Sequence, residues 1–107
     1  MKLTKEEAVR LFHEQWSDMQ KELGDCPSYR ERLIFKRDWC EKRFPGETIC
    51  AYCFLCEYMR HKASYSTCNF CPIVWPLDEC SSSSIIGTNW RLSPISEILA
   101  LPIREED

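Results

Sequence analysis

The stretch from Cys50 to Cys80 carries six of the eight cysteines of this chain. Residues 50–56 read CAYCFLC, residues 68–71 read CNFC, and Cys80 follows Cys71 after eight intervening residues. A C-x2-C turn directs two sulfur atoms at one metal ion, and two such turns complete the tetrahedral shell of a structural zinc site. The spacing therefore predicts a zinc-binding module over residues 47–80.

The predicted zinc ligands are the cysteines of the two C-x2-C turns: Cys53, Cys56, Cys68 and Cys71. Cys50 and Cys80 remain alternatives, and either can replace one of the four. His61 is a weaker candidate, because a lone histidine in a charged stretch is more often solvated. Cys26 and Cys40 lie outside the module and are predicted to be free core thiols.

An iron–sulfur cluster is the alternative cofactor. Cys50, Cys53 and Cys56, followed later by Cys71-Pro72, are similar to the bacterial ferredoxin run C-x2-C-x2-C-x3-C-P. The last gap is much longer here than the three residues of that run, which favours zinc over the cluster.

Two helices are predicted before the cysteine module. Thr4 and Glu7 form a capping box, and the apolar residues behind it repeat at helical spacing up to Gly24, which predicts a helix over about residues 4–23. Ser28 and Glu31 form a second capping box, which predicts a helix over about residues 28–43. The short turn between the two predicts an antiparallel helical hairpin.

At 107 residues the chain is predicted to be a single, mainly α domain. The helical hairpin (4–46) packs on a small irregular, zinc-finger-like module (47–80), with a short strand at 48–50 and one or two helical turns after Cys56. Residues 81–107 are expected to form a loop, a small hairpin over 85–92 and a short C-terminal helix that begins at Ser93-Pro94.

Charge is unevenly distributed. The formal net charge is −3, yet residues 28–43 carry six basic and three acidic side chains. Trp39 and these basic residues are expected to lie partly on the outer side of the second helix. Nucleic-acid binding through Arg30, Arg37 and Arg43 is therefore the alternative function, with the arginines on phosphates.

No catalytic pattern accompanies the cysteines. The sequence lacks the deaminase, P-loop, dinucleotide and zinc-protease motifs, so an enzyme is not expected. It also lacks an apolar run of signal-peptide or membrane-span length. We therefore expect a cytoplasmic protein with reduced thiols and no membrane partner.

Residues 36–80 resemble a known group. The resemblance is carried by KRDW at 36–39, CFLCEY at 53–58 and CNFCPIVW at 68–75, followed by Cys80. These segments are similar to small cysteine-rich proteins of bacteriophages and prophages of Gram-positive bacteria. Those proteins combine a helical N-terminal part with C-x-x-C-E-Y and C-x-x-C-P-x-x-W. The resemblance implies a phage accessory protein in a bacterial host cytosol and brings no established activity.

These observations lead to one functional hypothesis and two alternatives. The chain is expected to be a non-enzymatic, zinc-stabilised protein-interaction module that presents an aromatic-rich surface to a host or phage protein and inhibits a host or defence protein. Nucleic-acid binding is the first alternative, and an iron–sulfur or redox protein is the second.

Overall fold

The computed structural model describes residues 1–62, 71–75 and 88–104 of the chain. These ranges contain the helices α1 (Lys5–Leu23), α2 (Tyr29–Arg43), α3 (Phe54–Lys62) and α4 (Ile95–Leu99), and a 3₁₀ turn at Cys50–Tyr52. The described residues form no β-strand, and their only bridge is an isolated antiparallel pair, Ile73 with Ile103. The predicted mainly α class is confirmed.

Both long helices begin at the predicted capping boxes. In α1 the Thr4 hydroxyl accepts the Glu7 N–H at 3.1 Å, and the Glu7 carboxylate accepts the Thr4 N–H at 3.0 Å. In α2 Ser28 and Glu31 exchange the same two bonds at 3.2 and 2.9 Å. The predicted helices are thus confirmed to within one residue at each end.

The main core is built on α1. This helix packs chiefly against α3 and α4 and less against α2. The predicted apolar stripe is confirmed, since its residues from Val9 to Met19 are buried and Leu23 is partly buried. The rest of the core includes Leu55, Tyr58, Met59, Cys71, Ile73, Trp75, Ile95 and Ile98.

A second, smaller core joins α1 to α2. It consists of Leu11, Trp39, Cys40, Ile49 and Phe54. The two helices run in opposite directions: Trp39 Nε1 donates to Asp18 at 2.9 Å, while Arg43 Nη1, one turn later in α2, donates to Glu14, one turn earlier in α1, at 3.4 Å. This confirms the antiparallel hairpin.

The predicted outward placement of the basic residues and Trp39 is wrong for three of them. Trp39 is buried, as are Arg32 at 1% and Lys36 at 3% exposure. Arg32 donates to the Pro27 and Trp90 carbonyls at 3.0 Å each, and the Lys36 ammonium lies 4.0 Å from the centre of the Trp90 ring. Long basic stems pack well against apolar surface, and an aromatic face attracts the cation.

The expected aromatic-rich surface is also wrong for most of the tryptophans. Trp16, Trp39 and Trp75 are buried, because their large apolar area fills the two cores. The exposed large apolar side chains are instead Tyr29, Ile34, Tyr52, Leu92 and Ile103.

The C-terminal segment docks α4 on the turn between α1 and α2. The Ile95 N–H donates to the Asp25 carbonyl at 2.8 Å, and the Ser96 N–H and hydroxyl donate to the Asp25 carboxylate at 2.7 and 2.9 Å. Ile95 and Ile98 are buried beneath it. The short helix predicted after Pro94 is therefore confirmed.

The small hairpin predicted over 85–92 lies partly outside the described residues. Within them, residues 90–92 form a turn rather than a strand. The side-chain oxygen of Asn89 accepts the Arg91 and Leu92 N–H groups at 3.0 and 2.9 Å, and such a side-chain bond favours a turn.

Residues 71–75 lie beside residues 102–104. The Val74 N–H donates to the Pro102 carbonyl at 2.9 Å, and Arg104 Nε donates to the Cys71 carbonyl at the same distance. This pairing fixes Cys71, which is buried, at the edge of the main core. In the described part of the chain, each helix is too short or too polar to cross a lipid bilayer.

Candidate metal centre

Cys53 and Cys56 lie at the beginning of α3. Cys53 immediately precedes the helix, and its carbonyl accepts the Glu57 N–H at 3.0 Å, the first bond of the helical ladder. Cys56 lies in the first turn. Because residues three apart share a helix face, the two sulfur atoms lie side by side.

The Cys53 thiol is strongly acidified. A hydrogen bond from the Cys56 side chain, the nearby positive charge of Lys36 and the N–H groups of Cys56 and Leu55 lower its pKa to about 6, against the opposing effect of burial. Thiols at helix N-termini and beside cations are acidified in this way. The thiolate is the form that ligates metals, so at neutral pH Cys53 is ready to bind one.

The two cysteines outside the cysteine module, Cys26 and Cys40, lie in surroundings that differ from those of Cys53. Burial raises the pKa of Cys40 to about 11, so it remains a protonated core thiol, as predicted. Cys26 is exposed, because it lies in the turn between α1 and α2. The prediction that Cys26 is a core thiol is therefore wrong.

The turn that leads into Cys53 has an unusual backbone. Ala51 and Tyr52 both have φ of 53°, in the left-handed region that non-glycine residues seldom occupy. The strand predicted at 48–50 is wrong, because the chain turns at Cys50: the Cys53 N–H donates to the Cys50 carbonyl at 2.9 Å. Two adjacent strained residues between two cysteines are typical of a backbone shaped around a site.

Glu57 is a buried carboxylate that the sequence did not single out. It is fully shielded from solvent, yet it accepts the Met1 ammonium at 2.7 Å, the Cys50 N–H at 2.9 Å and Arg60 at 2.8 Å. Burial alone would raise the pKa of Glu57, but these hydrogen bonds and positive charges hold it below its ordinary value. Glu57 therefore fixes the Cys50 turn against α3.

The sequence indicates the local contacts of Glu57 but not its burial. Arg60 and His61 follow it at i+3 and i+4, the spacing of side chains that meet on one helix face. His61 Nε2 lies 3.3 Å from Glu57 Oε2, so the structure places this histidine beside the carboxylate.

The structure brings together one pair of the predicted ligands. Cys71 is buried in the main core, against which Cys53 also packs. Across residues 1–62, 71–75 and 88–104, however, no three or more His, Cys, Asp or Glu side chains gather as metal donors. Cys68 and Cys80 lie outside these ranges. The ligand set Cys53, Cys56, Cys68 and Cys71, with Cys50 and Cys80 as substitutes, stays a prediction.

The predicted phosphate contacts do not form one cationic surface. Arg37 donates twice to Asp38, at 3.1 and 3.2 Å, and Arg43 lies 3.4 Å from Glu14. Arg30 is exposed near the opposite end of α2 from Arg43. A phosphate at Arg37 or Arg43 would have to displace these carboxylates.

Comparison of the chain with protein-family models, with curated proteins and with solved structures found no match. The resemblance of residues 36–80 to phage proteins therefore stays an expectation, and the case for a function comes from the geometry.

Proposed function

We propose that this chain is a small, non-enzymatic helical protein that is stabilised by zinc and acts by binding another protein. The observation that carries the proposal is the Cys53–Cys56 pair at the start of α3, with the Cys53 pKa lowered to about 6. A side chain that is a thiolate at neutral pH, next to a second thiol at C-x2-C spacing, is half of a structural zinc site.

The other half is expected from the second C-x2-C turn. Cys71 lies on the same core as Cys53, and Cys68 precedes it by three residues. Structural zinc contributes about 10–16 kcal/mol in small peptides, which is comparable to the whole stability of a small domain. A bound zinc would therefore supply much of the stability of this small domain.

The proposed role in binding rests on the surface. The surface carries exposed apolar side chains, among them Ile34, Tyr52, Leu92 and Ile103. They stand on a small framework that is fixed by helix caps and buried ion pairs. The resemblance to phage proteins makes a host protein the proposed partner, and its inhibition the proposed outcome.

The test of the metal is elemental analysis of protein purified anaerobically under reducing conditions. We expect one zinc per chain in the wild type and loss of that zinc in Cys53→Ser and Cys56→Ser. Cys26→Ser is the matched control, because that thiol is exposed and remote from the pair. If the purified protein contains iron and sulfide, the iron–sulfur alternative is correct and the zinc proposal is wrong. If it contains no metal, the zinc proposal is also wrong.

The test of the binding role is a pull-down from bacterial lysate with the zinc-loaded protein as bait. We expect one partner at a stoichiometric ratio. An anisotropy titration with short DNA and RNA serves as the comparison, since affinity that falls steeply with salt would favour the nucleic-acid alternative.

A further inference from the structure

A groove with a volume of about 780 Å³ runs along the seam between α1 and α2. Neither Cys53 nor Cys56 lines it; the groove-lining residues come from the second half of α1 and from most of α2. The groove opens here because α1 is held mainly by α3 and α4, and α2 packs against it less closely.

The floor of the groove is apolar. Leu23 and Phe35 are partly buried, Trp39 is buried, and Ile34 is 41% exposed at the surface. Exposed apolar surface bordered by polar side chains typically marks an interaction site.

The two walls of the groove are acidic. Asp18 and Glu22 stand on the α1 side, and Glu31 and Asp38 stand on the α2 side. Asp18 is engaged by the Trp39 N–H and by Arg43, and Asp38 is paired with Arg37. Glu31 accepts the Ser28 N–H, and Glu22 has no cationic partner among the described residues. Lys42 and Arg43 lie at one end, so the lining residues carry four carboxylates against two cations.

We propose that this groove is a docking site for a cationic amphipathic helix of a partner protein. An apolar helix face fits the floor through side chains at i, i+3, i+4 and i+7. Lysine or arginine on the two flanks of that helix would face Glu22 on the α1 wall and Glu31 on the α2 wall, neither of which has a cationic partner among the described residues. The proposal rests on the proposed binding function and names its surface and the chemistry of its partner.

The probe is a fluorescein-labelled 16-residue helical peptide with leucine at i, i+3, i+4 and i+7 spacing and lysine elsewhere. Its match has glutamate in place of every lysine. Binding to the zinc-loaded full chain is followed by anisotropy at low and high salt. We expect the lysine peptide to bind, with weaker affinity at high salt, and the glutamate peptide not to bind.

Three variants test the location. Ile34→Asp places a charge on the floor at an exposed position, so folding is retained, and it should weaken binding about tenfold or more. Glu22→Lys should weaken it several-fold and reduce the salt dependence. Glu41→Lys makes the same charge change on the exposed face of α2 outside the groove, and should leave affinity within about twofold.

The groove is not the site if both peptides bind equally well. It is also not the site if Glu22→Lys and Glu41→Lys weaken the affinity for the lysine peptide equally. A dimer in sedimentation that Ile34→Asp converts to monomer would overturn it in favour of a second copy of this chain. If the pull-down recovers one partner equally with wild type and Ile34→Asp, the proposed binding function is supported and the groove is excluded as its surface. If the chain recovers no partner and ignores the peptide, both proposals fall.

Discussion

The helices α1 and α2 begin at equivalent capping boxes, Thr4 with Glu7 and Ser28 with Glu31, yet they bury different kinds of side chain. Apart from Gln15, the buried face of α1 is a row of apolar residues, whose larger side chains each contribute about 1.5–3 kcal/mol. The buried face of α2 includes two cations, Arg32 and Lys36, whose burial is favourable only because each has a partner. Helix boundaries are thus set by local bonds, whereas the character of the buried face depends on distant neighbours.

Substitutions in the core of α1 should lower the free energy of unfolding more than substitutions on α2. Trp16→Ala removes a ring that is 1% exposed and should lower the free energy of unfolding by about 3–5 kcal/mol, because it leaves a cavity. Urea unfolding followed by circular dichroism measures this. Ile34→Ala, at an exposed site on α2, should change it by less than about 0.5 kcal/mol. Similar losses from both variants would contradict the assignment of the main core to α1.

The buried cation of α2 should have the next largest effect. Arg32→Ala leaves the Pro27 and Trp90 carbonyls without their donor and should lower stability by about 1–3 kcal/mol. Arg37→Ala removes only an exposed pair with Asp38, so a loss of about 0–1 kcal/mol is expected. Equal effects in the same urea assay would show that the buried face of α2 is not specified by Arg32.

Removing the N-cap side chain should destabilise the protein equally at α1 and at α2. Thr4→Ala and Ser28→Ala each remove one bond of a capping box and should each lower stability by about 1 kcal/mol. Serine at position 4 can make the same bond, so Thr4→Ser is the control and should stay close to wild type. A clearly larger loss at one cap would mean that the boxes are not equivalent.

The smallest effect concerns pH. His13 on α1 is partly buried, and this burial lowers its pKa below the ordinary value of 6.5. The unfolded chain therefore binds the proton more readily, so stability should fall as pH drops from 6.5 towards the lowered folded pKa. His13→Gln should flatten this part of the stability–pH curve. A curve that is unchanged by the substitution would exclude His13 as the source.

The parts of this fold that were predictable from the sequence are those with a local cause. The capping boxes and the repeat from Val9 to Leu23 define both helices because every interaction involved spans a few residues. The C-x2-C spacing likewise identified Cys53 and Cys56, which the structure places side by side.

The parts that were not predictable depend on long-range contacts. Arg32 and Lys36 look like surface residues because charged side chains usually are, and only Trp90, more than fifty residues later, explains their burial. Glu57 looks solvated within a charged stretch, but Met1 and Cys50 bury it. No local pattern encodes these partners.

The bonds of Asp25 make the C-terminal helix dependent on a distant part of the chain. A helix of five residues is not stable alone in water, and α4 has only that length. Its first N–H groups bind Asp25, which precedes Ser96 by 71 residues. The stability of the C-terminal helix therefore depends on the α1–α2 turn, and hydrogen exchange at the Ser96 amide should report the opening of the contact between them.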